Sequence, residues 1–284
     1  MQFDESGAFI AVDRIRSTPV FYAVERGRIL VSDNQYWILG QVENCIFDEC
    51  SKNELLLTRY VTGPYTLSPV IRQVQTGEAV LIKKGYGGSI SITGIRYFEF
   101  CTTGSWQYKK NELLVRHETV LHEAFKRLIK FADGRTILIP LSGGYDSRLV
   151  ALMLKKLNYE NVITFSFGKP DNPEAKLSRW VAETLNFRCI FIPYNSYSMY
   201  EWVNSKEWKA YDRFADGLCC ACFDREWAAV RELKINKMIP DDGIFVPGHS
   251  GDFTAGGHIP RKFVERRIVT REEFIDEIWT RHYT

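Results

Sequence analysis

A cluster of small, polar and acidic residues follows a strand-length apolar run in the middle of the chain. Residues 142–147 read Ser-Gly-Gly-Tyr-Asp-Ser and come directly after the mostly apolar run 136–141. Two adjacent glycines let a backbone turn sharply and approach a ligand closely. A helix that begins after the turn offers free N–H groups and a partial positive charge to an anion. The segment therefore predicts an anion-binding turn between a strand and a helix.

The acidic residue in this turn, Asp146, limits which anions the turn can bind. A carboxylate repels a bare phosphate, but Mg²⁺ is coordinated by carboxylates and phosphates together. A Walker-type loop needs Gly, four residues, then Gly-Lys-Ser/Thr, and residues 142–147 lack that pattern. We therefore expect a nucleotide that is bound through its pyrophosphate and is not cleaved at the γ-phosphate.

The elements around the turn alternate between strand and helix. The predicted strands are 136–141, 162–167, 187–192 and 244–246, and the predicted helices between them are 147–157, 174–185 and 222–236. Such alternation is typical of a parallel α/β sheet with right-handed crossovers. Ligands of these sheets bind at the carboxyl ends of the strands, where residues 142–147 lie.

The first third of the chain has a different pattern. It reads as short β segments separated by Gly, Asp, Asn and Pro, with one short helix at 54–62. The predicted strands there are 9–12, 20–24, 29–31, 36–39, 79–82, 89–92 and 96–100. Helical spacing of apolar residues begins near 110, so we expect a β-rich domain over 1–105 and an α/β domain over 106–284.

Composition excludes several function classes. The chain has 37 Lys plus Arg and 35 Asp plus Glu, a net charge of +2, which gives no field that would attract nucleic acid or a membrane surface. No basic start followed by an apolar stretch is present, and no run of about 18 apolar residues occurs. We expect a cytoplasmic protein with a small-molecule partner, no nucleic acid and no membrane insertion.

A strand followed by Ser-Gly-Gly-x-Asp-Ser resembles the signature of the PP-loop ATP pyrophosphatases, and further segments resemble the asparagine synthetases among them. Residues 164–168, followed by Glu174-Ala175, look like the adenine-side strand and helix of that family. Residues 248–258 resemble its second loop, Gly-x-Gly-x-Asp-Glu. Asp252 stands at the Asp of that pattern, whereas Ser250 replaces the second Gly and Phe253 replaces the Glu.

This resemblance implies a set of site residues. Asp146 and Asp252 would be the catalytic carboxylates that hold Mg²⁺ on the triphosphate of ATP. The residues that bind the departing pyrophosphate would be Ser142, Gly143, Gly144 and Ser147, and those that line the adenosine pocket would be Leu141, Phe167 and Gly248. His249 and His258 flank Asp252 in sequence and are candidates for orienting phosphate or for removing a proton from the amine.

The N-terminal part resembles the glutaminase domain of the same family over residues 9–22 and 67–98. Family glutaminase domains use an N-terminal Cys as nucleophile, but residue 2 is Gln here, and the segment that should precede Phe9 is missing. We expect a truncated glutaminase-like (Ntn glutamine-amidotransferase-like) domain over 1–105 that does not hydrolyse glutamine. The α/β domain over 106–284 is also expected to be short at its C-terminus.

The function implied is an ATP-dependent amidotransferase or amide ligase. It would adenylate a carboxylate, aspartate or a related acid such as a uronic acid, and release AMP and pyrophosphate, with ammonia as nucleophile. A separate glutaminase or a second copy in a homodimer are candidate partners. Two alternatives stay open: a PP-loop enzyme that modifies a nucleotide or tRNA, and a non-catalytic relative that binds nucleotide or a partner subunit.

Overall fold

The chain forms two compact units in the computed structural model. The structure describes residues 2–43, 46–100, 109–249, 251, 256, 259–264, 266 and 268–283. The first unit combines Met1–Gly104, Lys206–Cys222 and Glu272–Thr284, and the second combines Ser105–Ser205 with Phe223–Arg271.

Eleven strands lie in the described residues. They are β1 (Gln2–Asp4), β2 (Gly7–Ala11), β3 (Phe21–Glu25), β4 (Arg28–Ser32), β5 (Ile71–Gln73), β6 (Glu78–Lys84), β7 (Ile90–Arg96), β8 (Ile137–Pro140), β9 (Val162–Gly168), β10 (Arg188–Pro193) and β11 (Ile244–Phe245).

Ten α-helices can be bounded in the same residues. They are α1 (Gln35–Leu39), α2 (Glu49–Thr58), α3 (Lys110–Ala132), α4 (Tyr145–Lys156), α5 (Pro173–Thr184), α6 (Ser196–Asn204), α7 (Lys206–Ala215), α8 (Trp227–Ile235), α9 (Arg261–Val264) and α10 (Arg271–Tyr283). Among the helices so described, none is long and apolar enough to cross a membrane.

The first unit contains two antiparallel sheets. One has the order β1-β2-β6-β7 and the other the order β4-β3-β5. Alternation along β2 buries Ala8 and Ile10 and exposes Phe9, as a sheet with one covered face requires. This half of the molecule is β-rich, as its short, punctuated segments predict.

A segment from far along the sequence packs in this first unit. Residues 206–222 contribute Leu218, which is 2% exposed and lies in one core cluster with Phe21 and Ile71. The Tyr36 hydroxyl donates a hydrogen bond to the Asp216 carboxylate at 2.5 Å. The predicted division into 1–105 and 106–284 therefore differs from the compact units, because a contiguous boundary cannot represent a segment that returns to an earlier unit.

The second unit is built on a four-stranded parallel sheet. Its order is β10-β9-β8-β11, with Ile137 on β8 opposite Val162 on β9 and Ile244 on β11. β8, the first of these strands along the sequence, is thus internal. β9 and β10 follow on one side of it and β11 lies on the other, so the direction in which strands are added reverses between β8 and β11. A parallel sheet opens a crevice for ligands at such a reversal, beyond the carboxyl ends of its strands.

Helices cover both faces of this sheet. Ile137 and Ile139 point to a core that α4 and α5 complete with Ala151, Leu154 and Val181. Leu138 points to the opposite core, which α8 completes with Ala229 and Leu233. Burial on both faces explains why the strand reads as a continuous apolar run. The mixed α/β class with a parallel sheet, predicted from the sequence, is confirmed.

Some helices and strands of the structure differ from those predicted from the sequence. Residues 36–39, predicted as a strand, are the helix α1, because the Asn34 side chain accepts from the N–H groups of Tyr36 and Trp37 and so caps a helix start. The helix predicted at 54–62 runs Glu49–Thr58, since Asp48 caps its start and Arg59 ends it in the left-handed region. Helices α6 and α7 were not predicted.

Candidate active site

The turn after β8 is closed by two serine hydroxyls. Ser147 Oγ accepts a hydrogen bond from the N–H of Ser142 at 3.1 Å and lies 3.0 Å from Ser142 Oγ. Ser142 Oγ in turn accepts from the N–H of Gly144 at 3.1 Å. Ser147 is 4% exposed, so its hydroxyl is a structural part of the turn. These bonds fix the turn at the carboxyl end of an internal strand.

The first turn of α4 keeps donors available to a ligand. Gly144 is its N-cap and makes no side-chain cap hydrogen bond. An uncapped helix start presents unsatisfied N–H groups and a partial positive charge. Asp146 lies in this first turn, partly buried, and no described residue donates a hydrogen bond to its carboxylate. The local arrangement is suited to an anion accompanied by a cation.

The loop that follows β11 lies directly on this helix start. A β-carbon placed on Gly248 would lie 2.8 Å from the carbonyl carbon of Asp146, and one placed on Gly251 would lie 2.7 Å from the Asp146 Cβ. Both distances are closer than real β-carbons approach other atoms, so both positions require glycine. The strand reversal between β8 and β11 thus brings the two predicted loops into contact.

A cavity of about 340 Å³ opens where these loops meet the ends of β8 and β9 in the second unit. Its described lining residues are Pro140, Leu141, Ser142, Gly144, Asp146, Ser147, Ser166, Phe167, Glu174, Ala175, Glu226, Gly248 and His249. The turn contributes polar and acidic groups to this lining, and β9 contributes the apolar ring of Phe167. A nucleotide likewise combines charged phosphates with an aromatic base.

Aromatic stacking fixes the apolar wall. The ring of Phe167 stacks on Tyr194 with centroids 5.2 Å apart, and Tyr194 meets Trp202 edge-on at 5.1 Å. The Tyr194 hydroxyl donates to the carbonyl of Arg225 at 3.0 Å and accepts from the N–H of Ala229 at 3.0 Å. Burial raises the pKa of Tyr194, so this hydroxyl stays protonated and can donate. Tyr194 therefore ties the wall of the cavity to the start of α8.

Glu226 lies at that start of α8 and was not singled out by the sequence. It is partly buried, and no described residue donates a hydrogen bond to its carboxylate. Burial raises the pKa of the Glu226 carboxyl, and His249 nearby offsets part of that rise. No motif surrounds residue 226, so only the fold brings it to the cavity.

Most predicted site residues lie together. The cavity is lined by Leu141, Ser142, Gly144, Asp146, Ser147, Phe167 and Gly248. Gly143 does not line it, since a β-carbon there would face Leu177 of α5 at 3.2 Å. Asp252 and His258 lie outside the described residues. Within the described part of the chain, no three His, Cys, Asp or Glu side chains form a group that could hold a metal ion.

One stretch of the sequence matches a known protein family. Residues 117–208 match the sequence model of the asparagine synthase family, a stretch that contains the serine turn and β9 but ends before the loop after β11. A search of curated proteins returns no match.

Comparison with solved structures returns only partial similarity. An NH3-dependent NAD synthetase from Campylobacter jejuni is 22% identical, over 31% of this chain and 39% of that one, with a TM-score of 0.27. A predicted subunit of tRNA methyltransferase from Methanocaldococcus jannaschii is 19% identical, over 52% of this chain and 64% of that one, with a TM-score of 0.25. The chain thus spans less than two thirds of the length of either structure. Over residues 117–208, this chain is therefore similar to the asparagine synthase family.

Proposed function

We propose that the second unit binds Mg²⁺·ATP in this cavity and adenylates a carboxylic acid, which ammonia then converts to an amide. The observation that carries the proposal is the approach of Gly251 to the Asp146 carboxylate. In sequence, Gly251 is followed directly by Asp252, so a second carboxylate belongs to the loop that touches the first. Two carboxylates from separate loops suit a cation bound to phosphates.

The residues of the turn have distinct tasks. The free N–H groups at the start of α4 and the Ser142 hydroxyl bind the pyrophosphate part of ATP. Phe167 and Leu141 line the adenosine side. Asp146 fits Mg²⁺ because it lines the cavity and its carboxylate accepts no hydrogen bond from the described residues, and Asp252 would be its partner ligand. Bound Mg²⁺ would neutralise negative charge on the phosphates.

The reaction has two steps. A carboxylate oxygen of the acceptor attacks the α-phosphorus, and the bond to the bridging oxygen of pyrophosphate breaks with its electron pair. Ammonia then attacks the acyl carbon, the carbon–oxygen bond to AMP breaks, and the new amide nitrogen loses one proton to water. The N–H groups of α4 are fixed before the reaction, so they stabilise the charge that develops on the pyrophosphate.

The first unit is proposed to have no glutaminase activity of its own. Ammonia would then arrive free or from a separate glutaminase. The acceptor acid is proposed to be aspartate or a uronic acid.

Isotope exchange between pyrophosphate and ATP tests the proposal. We expect exchange that requires Mg²⁺ and a carboxylic acid, followed by AMP formation when ammonium is added. Glutamine should not replace ammonium. Formation of ADP and phosphate without AMP would rule out adenylation, and release of glutamate from glutamine would contradict the assignment of the first unit.

A further inference from the structure

Glu226 is held at the cavity wall by contacts that do not involve its carboxylate. The Tyr194 hydroxyl fixes the backbone on both sides of it, through the carbonyl of Arg225 and the N–H of Ala229, each at 3.0 Å. Glu226 is the N-cap residue of α8, yet its side chain makes no cap hydrogen bond. The usual structural role of an acidic residue at a helix start is therefore not the role of this carboxylate.

Carboxylates outnumber basic groups among the described residues that line the cavity. The described lining residues include the carboxylates of Asp146, Glu174 and Glu226 but no Lys or Arg, and His249 is the only basic group among them. A partly buried carboxylate is stabilised by a cation or by hydrogen-bond donors. A ligand that supplies both is a protonated amine, which carries a positive charge and N–H donors.

We propose that Glu226 is the amine-binding residue of this site and receives a protonated amino group of the substrates. This inference rests on the proposed function, since it assigns a task in the same cavity. The protonated amine has two possible sources, the ammonium ion that becomes the nucleophile and an amino group on the acceptor acid. Both present the same chemistry to the carboxylate.

For the ammonium ion, binding leads to a proton transfer. The Glu226 carboxylate takes one proton from ammonium, which leaves ammonia with a free electron pair. That pair forms the bond to the acyl carbon while the bond to AMP breaks, and the new amide nitrogen loses its extra proton to water. A carboxyl whose pKa is raised by burial is a better proton acceptor than an exposed one. An amino group on the acceptor would stay protonated and only position the acid.

Melting temperatures with matched ligand pairs test the inference without requiring turnover. The full chain is saturated with Mg²⁺·ATP and then given ammonium chloride or sodium chloride at equal concentration, and separately aspartate or succinate, which differ by one amino group. Ammonium at about ten times its Kd should raise the melting temperature by about 2 °C more than sodium does. If the acceptor carries the amine, aspartate should instead raise the melting temperature more than succinate does.

Glu226→Gln separates the inference from the proposed function. This variant should keep the melting shift caused by Mg²⁺·ATP and lose the increment due to the amine. Asp224→Asn is the matched control, because Asp224 is exposed two residues away and does not line the cavity. This control should keep both the melting shift caused by Mg²⁺·ATP and the increment due to the amine. The inference is overturned if the wild type shows no increment from ammonium or aspartate over its matched partner, or if Glu226→Gln retains it. Failure of the proposed function would appear differently, as a lack of AMP formation by the wild type.

Discussion

A β-carbon placed on Gly248 would lie 2.7 Å from the Cα of Ser147. The loop after β11 and the first turn of α4 therefore meet backbone to backbone. A glycine is required there by close approach and not by a positive φ. The contact places the loop that precedes Asp252 against the turn that carries Asp146.

Gly248→Ala should separate the two loops. The added methyl group overlaps backbone atoms that cannot rotate away, so the variant should lose about 1–3 kcal/mol of unfolding free energy. A displacement of about 1 Å at the site should lower the rate of AMP formation by about 100-fold. Urea unfolding and a product assay measure the two effects.

Gly40→Ala is the control for that variant. A β-carbon on Gly40 would make ordinary contacts at 3.6 Å with the carbonyl of Trp37. It should change stability by less than about 0.5 kcal/mol. Equal effects of the two substitutions would contradict the close approach of the loops.

Ser147→Ala should cost more stability than Ser142→Ala. The Ser147 hydroxyl is buried and accepts from the N–H of Ser142, so its removal leaves a donor unpaired at a cost of about 1–3 kcal/mol. Ser142 is exposed, and water can replace its hydroxyl, so we expect less than about 0.5 kcal/mol. Chemical denaturation of both variants under one condition decides the order, and the reverse order would contradict the turn described above.

Asp146→Asn should remove the effect of Mg²⁺ on ATP binding. The wild type should gain melting temperature from Mg²⁺·ATP and lose the gain when EDTA is added, whereas the variant should respond equally with and without the metal. Its rate of AMP formation should fall by at least about 100-fold. Asp242→Asn, an exposed acidic residue in the turn before β11, is the control and should behave as the wild type.

Glu226→Gln should raise stability at neutral pH. Burial raises the pKa of this carboxyl in the folded state, so its ionised form destabilises the fold. In the wild type, stability is highest below the unfolded pKa of about 4.3 and is lost as pH rises through the higher folded value. The variant should therefore have a higher melting temperature than the wild type at pH 7, and the two melting temperatures should be equal near pH 4. A difference that persists at pH 4 would point to packing instead of charge.

The parallel sheet and the serine turn could be predicted from the sequence because their signals are local. A strand buried on both faces reads as one apolar run at 136–141, and the Gly-Gly pair marks the turn that follows. The helix α4 then shows the spacing of its buried residues, Val150, Ala151 and Leu154. These signals lie within about 20 residues of each other.

Other features depend on contacts that no local pattern carries. Glu226 lies at the cavity, and the hydroxyl that holds the start of α8 there belongs to Tyr194, which is distant in sequence. Residues 206–222 join the first unit through Leu218 and Asp216, far from their partners in sequence. The short apolar run at 36–39 is compatible with either a strand or a helix, and the Asn34 cap favours the helix.

A crystal structure with Mn²⁺ and a non-hydrolysable ATP analogue tests the central claim most directly. Anomalous scattering locates the metal. We predict one Mn²⁺ about 2.2 Å from carboxylate oxygens of both Asp146 and Asp252, with the triphosphate over the turn 142–147. A triphosphate bound elsewhere, or a metal that touches neither carboxylate, would contradict the account.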